Sequence, residues 1–485
     1  MENTNRNFLL ISLIVLLGWF LFVLCCGEQI RVNHGLGWDG DFYARVALNP
    51  IEYITRIGVN NYKFCRVLPS IIVHYSAELV GYRLCTDSMT PDAVIHAFMV
   101  YNFLLITVSV FILYKIAQQL AWEPPIFVIA FTALFVNFPI LKLSGYNPTT
   151  TDISAFAVSL LIFYLYLKKQ QLLLFFVSLP AAFVWPTLVY TSLFLLIFTV
   201  QNLKQQQFVP TRVGTIASAI IAGLLAAGTV YDYYGNHLRL PNGATQVHEK
   251  VVIASVILFF MYVWLMLRPC MDVRYARSTI WSGINLRGVV LSLLLLIGVK
   301  TIIALFSKDV STLTTLHQIR FMGQTMIVNP LVSVVAHVSY FGPGVILTLI
   351  FWRRVVLTAQ RLGPGVMLFL LSSALLSIGS ESRQSITAWP TIAILTCEAL
   401  NRRGITRRMA YSLLLVALVT SRFWLNLNGT KEWTGPYTEF PYQMFFMNFG
   451  PWLSTSMYAV FAAIASLLSI GIYFSLRHQV NDAGN

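Results

Sequence analysis

Asp39 and Asp41 flank a single glycine in the run Trp38-Asp39-Gly40-Asp41-Phe42-Tyr43. The run follows the first membrane-length apolar stretch, 8–26, and opens a long polar loop. An aspartate is ionised near pH 7 and can accept the proton of a hydroxyl. Placed at a bilayer surface among aromatics such as Tyr43, such a carboxylate could act on a lipid-borne substrate. The same Asp-Gly-Asp spacing offers oxygen ligands to a divalent cation. It also suits an ordinary Asx-type turn with Gly40 at positive φ. Spacing alone leaves all three readings open.

Cations follow. Lys63 and Arg66 lie in the same polar stretch, and Lys300, Lys308, His317 and Arg320 surround a later loop at 307–328. Arg383 follows Ser380-Glu381-Ser382 between two apolar runs. Arginine offers a planar fork to phosphate and lysine a point charge. Each could instead snorkel to lipid headgroups. Glu381 and Arg383 sit where an ionisable side chain is costly and therefore a functional candidate, with a local Glu–Arg pair as the plainer alternative. His337 and Tyr340 precede Phe341-Gly342-Pro343-Gly344. A helix broken there can line a cavity, although a lone histidine more often closes hydrogen bonds in a core. Asp152 opens an apolar segment, where a carboxylate favours the helix N-terminus.

The elements that must position these groups are apolar helices. Of 485 residues, 57% are hydrophobic and 11% charged, against about 25% charged in soluble domains. Mean hydropathy is +0.70. Runs of roughly 20 apolar residues, enough to cross a bilayer, recur along the sequence. They are continuous rather than alternating, which excludes a β-barrel. The expected fold is an all-α polytopic membrane protein, one integral membrane domain over 1–485. Segments fall near 8–26, 93–119, 124–142, 149–167, 170–184, 187–202, 212–231, 251–268, 288–306, 329–352, 363–379, 385–400, 410–427 and 453–476. The short pair at 170–202 meets at Trp185-Pro186, where proline interrupts a helix. About 11–14 transmembrane helices are therefore expected. The stretch 8–26 reads as a retained helix, since no small-x-small cleavage site follows it.

One set of loops carries Lys168, Lys169, Arg274, Arg277, Arg353, Arg354, Arg402, Arg403, Arg407 and Arg408. By the positive-inside rule that set is cytoplasmic, together with both termini. It absorbs nearly all of the net charge of +14, so no nucleic-acid partner is needed to explain the basic balance. The opposite face has the long loops, near 27–92, 231–250, 307–328 and 428–452, where function concentrates. In the first of them, 27–92, Leu68, Ile71, Ile72, Tyr75 and Leu79 recur at helical spacing. Residues 66–80 are thus expected as an amphipathic helix lying in the interface, roofing the bundle and holding the Asp39–Asp41 segment against it. Cys65 and Cys85 share that loop and could pair or remain apolar thiols. Asn428-Gly429-Thr430 matches a glycosylation sequon, a weak signal.

Asp39-Gly40-x-Phe42-Tyr43, then Ala47 and Pro50, then Arg66, Leu68 and Pro69 opening an apolar helix, resembles the first outer loop of bacterial GT-C-type integral membrane glycosyltransferases. Glu381-x-Arg383 with Pro390 is similar to a late feature of the same group. The resemblance implies a GT-C-like multi-helix fold in the bacterial inner membrane, a polyprenyl-phosphate-linked sugar as donor and an acid in the first outer loop as base. Asp39 matches that acid. Asp41 stands where many members are neutral, so its part stays open. O-antigen glucosyl branching of lipopolysaccharide looks like the nearest kind.

The residues and the resemblance together give an expected activity. Asp39 would deprotonate a hydroxyl of a glycan or lipid-linked acceptor at the periplasmic side, with Asp41 as second acid. Lys63, Arg66, Arg320 and Arg383 would hold the donor phosphate, supported by Tyr43, Glu381, His317 and His337. The transfer would be inverting. Arg and Lys can neutralise a phosphate leaving group, so no cofactor is expected. A lipid-linked saccharide flippase is the rival reading; internal repeats, common in transporters, are not seen in the sequence.

Overall fold

A computed structural model of the chain describes residues 2–84, 92–201, 211–235, 249–271, 275, 279–280, 282–308, 323, 326–327, 329–428 and 455–482. These residues build helices without a named strand. Isolated backbone bridges join Val59 to Ser307 and Phe198 to Ile284.

Length and composition divide the helices into two kinds. Arg6–Cys26, Asp92–Gln119, Arg212–Tyr234, Leu286–Phe306 and Met457–Arg477 are each long and apolar enough to cross a membrane. In four of them only 17–28% of the apolar window is buried in the protein. Their remaining apolar side chains face outward, as lipid contact requires. A sixth span arises if Pro124–Phe135 and Pro139–Tyr146, bent by 53°, count as one. The bend has a local cause. Pro139 lacks an N–H, and Asn137 takes over the broken ladder. Its Nδ2 donates to the Ala133 and Leu134 carbonyls and its Oδ1 accepts from the Ile140 N–H.

Shorter apolar helices fill most of the other expected segments: Asp152–Leu167, Gln171–Ala181, Thr187–Ile197, Val251–Leu267, Val332–Phe341 and Pro364–Leu376. The chain is thus supported as an all-α, multi-pass membrane protein, but among the described residues fewer runs form full-length spans than the expected 11–14. Proline and glycine cut them. Gln171–Ala181 and Thr187–Ile197 separate around Trp185-Pro186, and Val332–Phe341 ends at Gly342, whose φ of +75° is left-handed.

The stretch after the first helix is not a polar loop. It folds into the helices Trp38–Leu48, Asn61–Phe64 and Leu68–Leu79. The last of these is the expected amphipathic helix, and its protein-facing side is made of small residues. Pro69, Ser70, Val73 and Ala77 are buried, whereas Ile72, Tyr75 and Leu79 are exposed. Where lipid is the outer medium, small residues pack best against protein and large apolar ones can stay outside. His74 on this helix bonds through Nδ1 to the Ala47 carbonyl at 2.7 Å, fastening it to the helix that carries Asp39.

Candidate functional site

The Trp38–Leu48 helix starts after Gly37, whose φ is +72°. Asp39 and Asp41 therefore occupy its first turn, where the positive end of the helix dipole favours carboxylates. Gly40 is helical rather than left-handed, correcting the turn reading. Its role is close approach. A Cβ there would lie 2.0 Å from Thr149 Oγ1, so only glycine lets this helix rest on the segment leading to Asp152.

Residues two apart on a helix do not face each other, and the two acids diverge. Asp41 takes both its oxygens to Arg45 Nε at 3.0 Å. That pair is exposed, 34% for Asp41 and 57% for Arg45, and is a surface i,i+4 contact. Asp39 points the other way. Its Oδ2 lies 3.7 Å from Arg383 Nη1, and 46% of its side chain is exposed. A cation shared across Asp-Gly-Asp does not fit this divergence. Among the described residues no three His, Cys, Asp or Glu side chains gather as a metal site.

Arg383 belongs to the 3-10 turn Ser382–Ser385. Its Nε and Nη2 donate to Asp152 Oδ1 and Oδ2, both at 3.0 Å. This is a planar bidentate pair between side chains only 12% and 6% exposed. Burial works against the guanidinium charge. Asp152, then Asp39 and Glu381, overcome it and hold the Arg383 pKa well above its ordinary value. The fork thus crosses the fold to Asp152, which displaces the local Glu381–Arg383 pair as the main partner. Asp152 serves as the anchor of Arg383, with Thr151 at the N-cap position.

His337 fastens the same turn from the core. Its Nε2 meets the Ser377 carbonyl at 2.8 Å and its Nδ1 meets Ser382 Oγ at 2.9 Å. A carbonyl can only accept, which puts the proton on Nε2 and leaves Nδ1 to accept from the Ser382 hydroxyl. His337 is therefore a hydrogen-bonded core residue that positions the turn. Tyr340, fully buried, lies within electrostatic reach of Asp152, Arg383 and Glu381. Its hydroxyl has no hydrogen-bond partner among the described residues.

Arg66 completes the cluster. Only 2% exposed, its guanidinium lies 3.8 Å from the Trp185 ring centroid and 4.3 Å from that of Tyr62. Stacking on aromatic faces keeps a cation at low exposure, and its Nε has no hydrogen bond among the described residues. Tyr43 sits between the charges. Burial pushes its phenol well up; Arg66 pulls it down and Asp39 adds to the rise. The hydroxyl therefore stays a neutral donor.

No family model, curated protein or solved structure matches the chain.

The fold thus groups Asp39, Tyr43, Arg66, Glu381 and Arg383 from the expected set, with His337 beneath them. Lys63 rests over the Phe42 ring at 4.6 Å, on the same helical layer. Lys308 bonds the Ile57 carbonyl at 3.2 Å, and Asp41 turns to Arg45. Arg320, His317 and Cys85 lie outside the described residues. Asp152, Tyr62, Trp185 and Tyr340 join the site without having been expected there in those roles. Asp152 had a legible signal, a charge inside an apolar run. Trp185 had none beyond its neighbouring proline. Chemically, the arrangement offers one half-open carboxylate beside a buried, fixed guanidinium and a second stacked one. It can accept a proton while holding an anion.

Proposed function

We propose that this chain transfers a sugar from a polyprenyl-phosphate donor to a hydroxyl of a cell-envelope glycan or lipid-linked acceptor. The observation that supports it best is the half-exposed Asp39 carboxylate, 3.7 Å from an Arg383 that Asp152 grips with two 3.0 Å bonds. Asp39 accepts the acceptor's proton as its oxygen attacks the anomeric carbon. The bond from that carbon to the phosphate oxygen breaks, and the polyprenyl phosphate leaves with the electron pair. Arg383, Arg66 and Lys63, with Arg320 from the later loop, stabilise the charge on the leaving group. Direct attack by a bound acceptor inverts the anomeric centre. In this reading the fold is GT-C-like with 11–14 transmembrane passages, and the protein lies in a bacterial inner membrane. Both termini are cytoplasmic, the site is periplasmic, and the product belongs to O-antigen.

The test uses purified full-length protein with a polyprenyl-phosphate sugar and a glycan acceptor, read by product mass. Asp39→Asn is expected to lower the rate by roughly 100-fold or more, as loss of a general base does, with unfolding temperature unchanged. A folded Asp39→Asn protein that transfers at the wild-type rate would falsify the assignment.

A further inference from the structure

The end of the bundle away from the candidate site is strongly basic. Arg353 and Arg354 lie in the first turn of the helix Trp352–Leu362, and Arg402, Arg403, Arg407 and Arg408 follow the helix Trp389–Asn401. Arg361 and Arg402 turn to the buried Glu398. Arg354, Arg403, Arg407 and Arg408 make no ion pair among the described residues. Glu123, whose backbone N–H donates to Asn401 Oδ1 at 3.2 Å, is exposed at this end and pairs with none of them.

Two of these cations share one ring. The Arg403 guanidinium lies 5.2 Å from the Phe351 ring centroid, and that of Arg354 lies 6.0 Å from it. Phe351 is buried, so the ring they share is fixed in the fold. Partial burial, and then the neighbouring Arg354 charge, push the Arg403 pKa below its ordinary value. Arg407 and Arg408 stand in the first turn of the helix Arg407–Thr420, where the helix dipole disfavours cations. A positive-inside belt accounts for the sign of this end. It does not account for two guanidinium groups against one ring with no carboxylate paired to either. Like charges brought together are unfavourable, and an anion that accepts from both relieves the repulsion.

The surroundings indicate which anion. Tyr411 and Leu415 follow Arg407 at four-residue intervals, hence on one helix face. Both are exposed, as is Ile350 beside Phe351. The basic patch therefore runs directly into apolar surface of the kind that meets hydrocarbon. A soluble anion would use only the cations, whereas a phospholipid covers both surfaces. Two pairs of arginines, Arg354 with Arg403 and Arg407 with Arg408, suit a headgroup with two phosphates.

We infer that this end of the bundle binds a phospholipid whose headgroup carries two phosphates, one held by Arg354 and Arg403 and the other by Arg407 and Arg408, with acyl chains along Tyr411 and Leu415. All four side chains meet the ligand without breaking an ion pair. The inference does not depend on the transfer reaction.

The experiment is native mass spectrometry of the full-length protein exchanged into mixtures of cardiolipin and phosphatidylcholine. Wild type is expected to retain one cardiolipin with a preference of about 25-fold or more. Arg354 and Arg403 supply about fivefold each, the ratio that about 1 kcal/mol per arginine gives. Arg354→Gln and Arg403→Gln are each expected to lower the preference about fivefold, and the two together about 25-fold, with unfolding temperature unchanged. Lys168 and Lys169, exposed beyond the far end of the helix Asp152–Leu167, provide the control. Lys168→Gln with Lys169→Gln removes the same charge and is expected to leave the preference as it was. No cardiolipin retained by wild type, unchanged preference in the double arginine variant, or an equal loss in the double lysine variant would each overturn the inference. So would displacement of cardiolipin by equimolar pyrophosphate, which would make the patch a site for a soluble anion.

Discussion

Two charged knots sit at opposite ends of the Trp389–Asn401 helix, and they are built in opposite senses. At the far end Glu398 is the centre. Its Oε1 accepts from Arg361 Nη2 at 2.7 Å and lies 3.6 Å from Arg402 Nε, while its Oε2 accepts from Trp122 Nε1 at 2.9 Å. Both oxygens are occupied and the side chain is 8% exposed. At the near end Arg383 is the centre. One carboxylate, Asp152, is fully engaged, and the other, Asp39, stays 46% exposed at 3.7 Å. A knot closed on every side can only hold helices together. One closed on a single side holds its cation still and leaves a carboxylate open to meet another molecule.

The largest expected effect would come from emptying the centre of the open knot. Arg383→Gln strands the buried Asp152 carboxylate, and breaking such a pair costs roughly 3–5 kcal/mol. A fall in unfolding temperature in detergent, together with loss of transfer, is expected. An unchanged unfolding temperature would mean that Asp152 is not held by Arg383.

Glu398→Gln is the sharper half of the comparison. It should cost about 2 kcal/mol, below the roughly 3–5 kcal/mol of a fully buried pair, because Arg402 is 44% exposed and screened by water. Transfer per folded molecule should stay at the wild-type level. A drop in rate larger than the drop in folded protein would show that the two knots are coupled.

Gly40→Ala probes the seat of the helix. The added methyl would meet Thr149, and overpacking costs roughly 1–3 kcal/mol. It should also move Asp39, so the rate is expected to fall more than stability does. Gly40→Ala paired with Thr149→Ala, which removes the clashing Oγ1, tests for relief, and no recovery would rule out this contact as the cause.

The smallest effect is expected at Asp41. Its exposed pair with Arg45 contributes about 0.3–0.5 kcal/mol, so Asp41→Asn should leave the unfolding temperature and rate nearly unchanged. Inactivity of Asp41→Asn with an active Asp39→Asn would move the reactive carboxylate two residues along the chain.

The candidate site was partly legible. Asp39, Arg66 and Arg383 stood out because each is a charge next to long apolar runs, where charges are costly. Asp152 stood out too, but a charge at a helix start has a sufficient local explanation, and its partner lies 231 residues away. The Leu68–Leu79 helix was legible from its apolar spacing, but which small residues pack against the protein was not, because lipid outside removes the usual ranking of burial by size. Asp41 resembled Asp39 in every local respect.

Composition and run length determined an α-helical protein made for a bilayer, since only helices with closed backbones suit continuous apolar stretches of this kind. Proline and glycine positions set most of the breaks. What the tertiary structure alone decided is which charges meet. Asp39 faces Arg383 and Asp41 does not, because about half a helical turn puts on opposite faces two near neighbours that the sequence presents as equals, and because Gly40 lets that helix settle against Thr149.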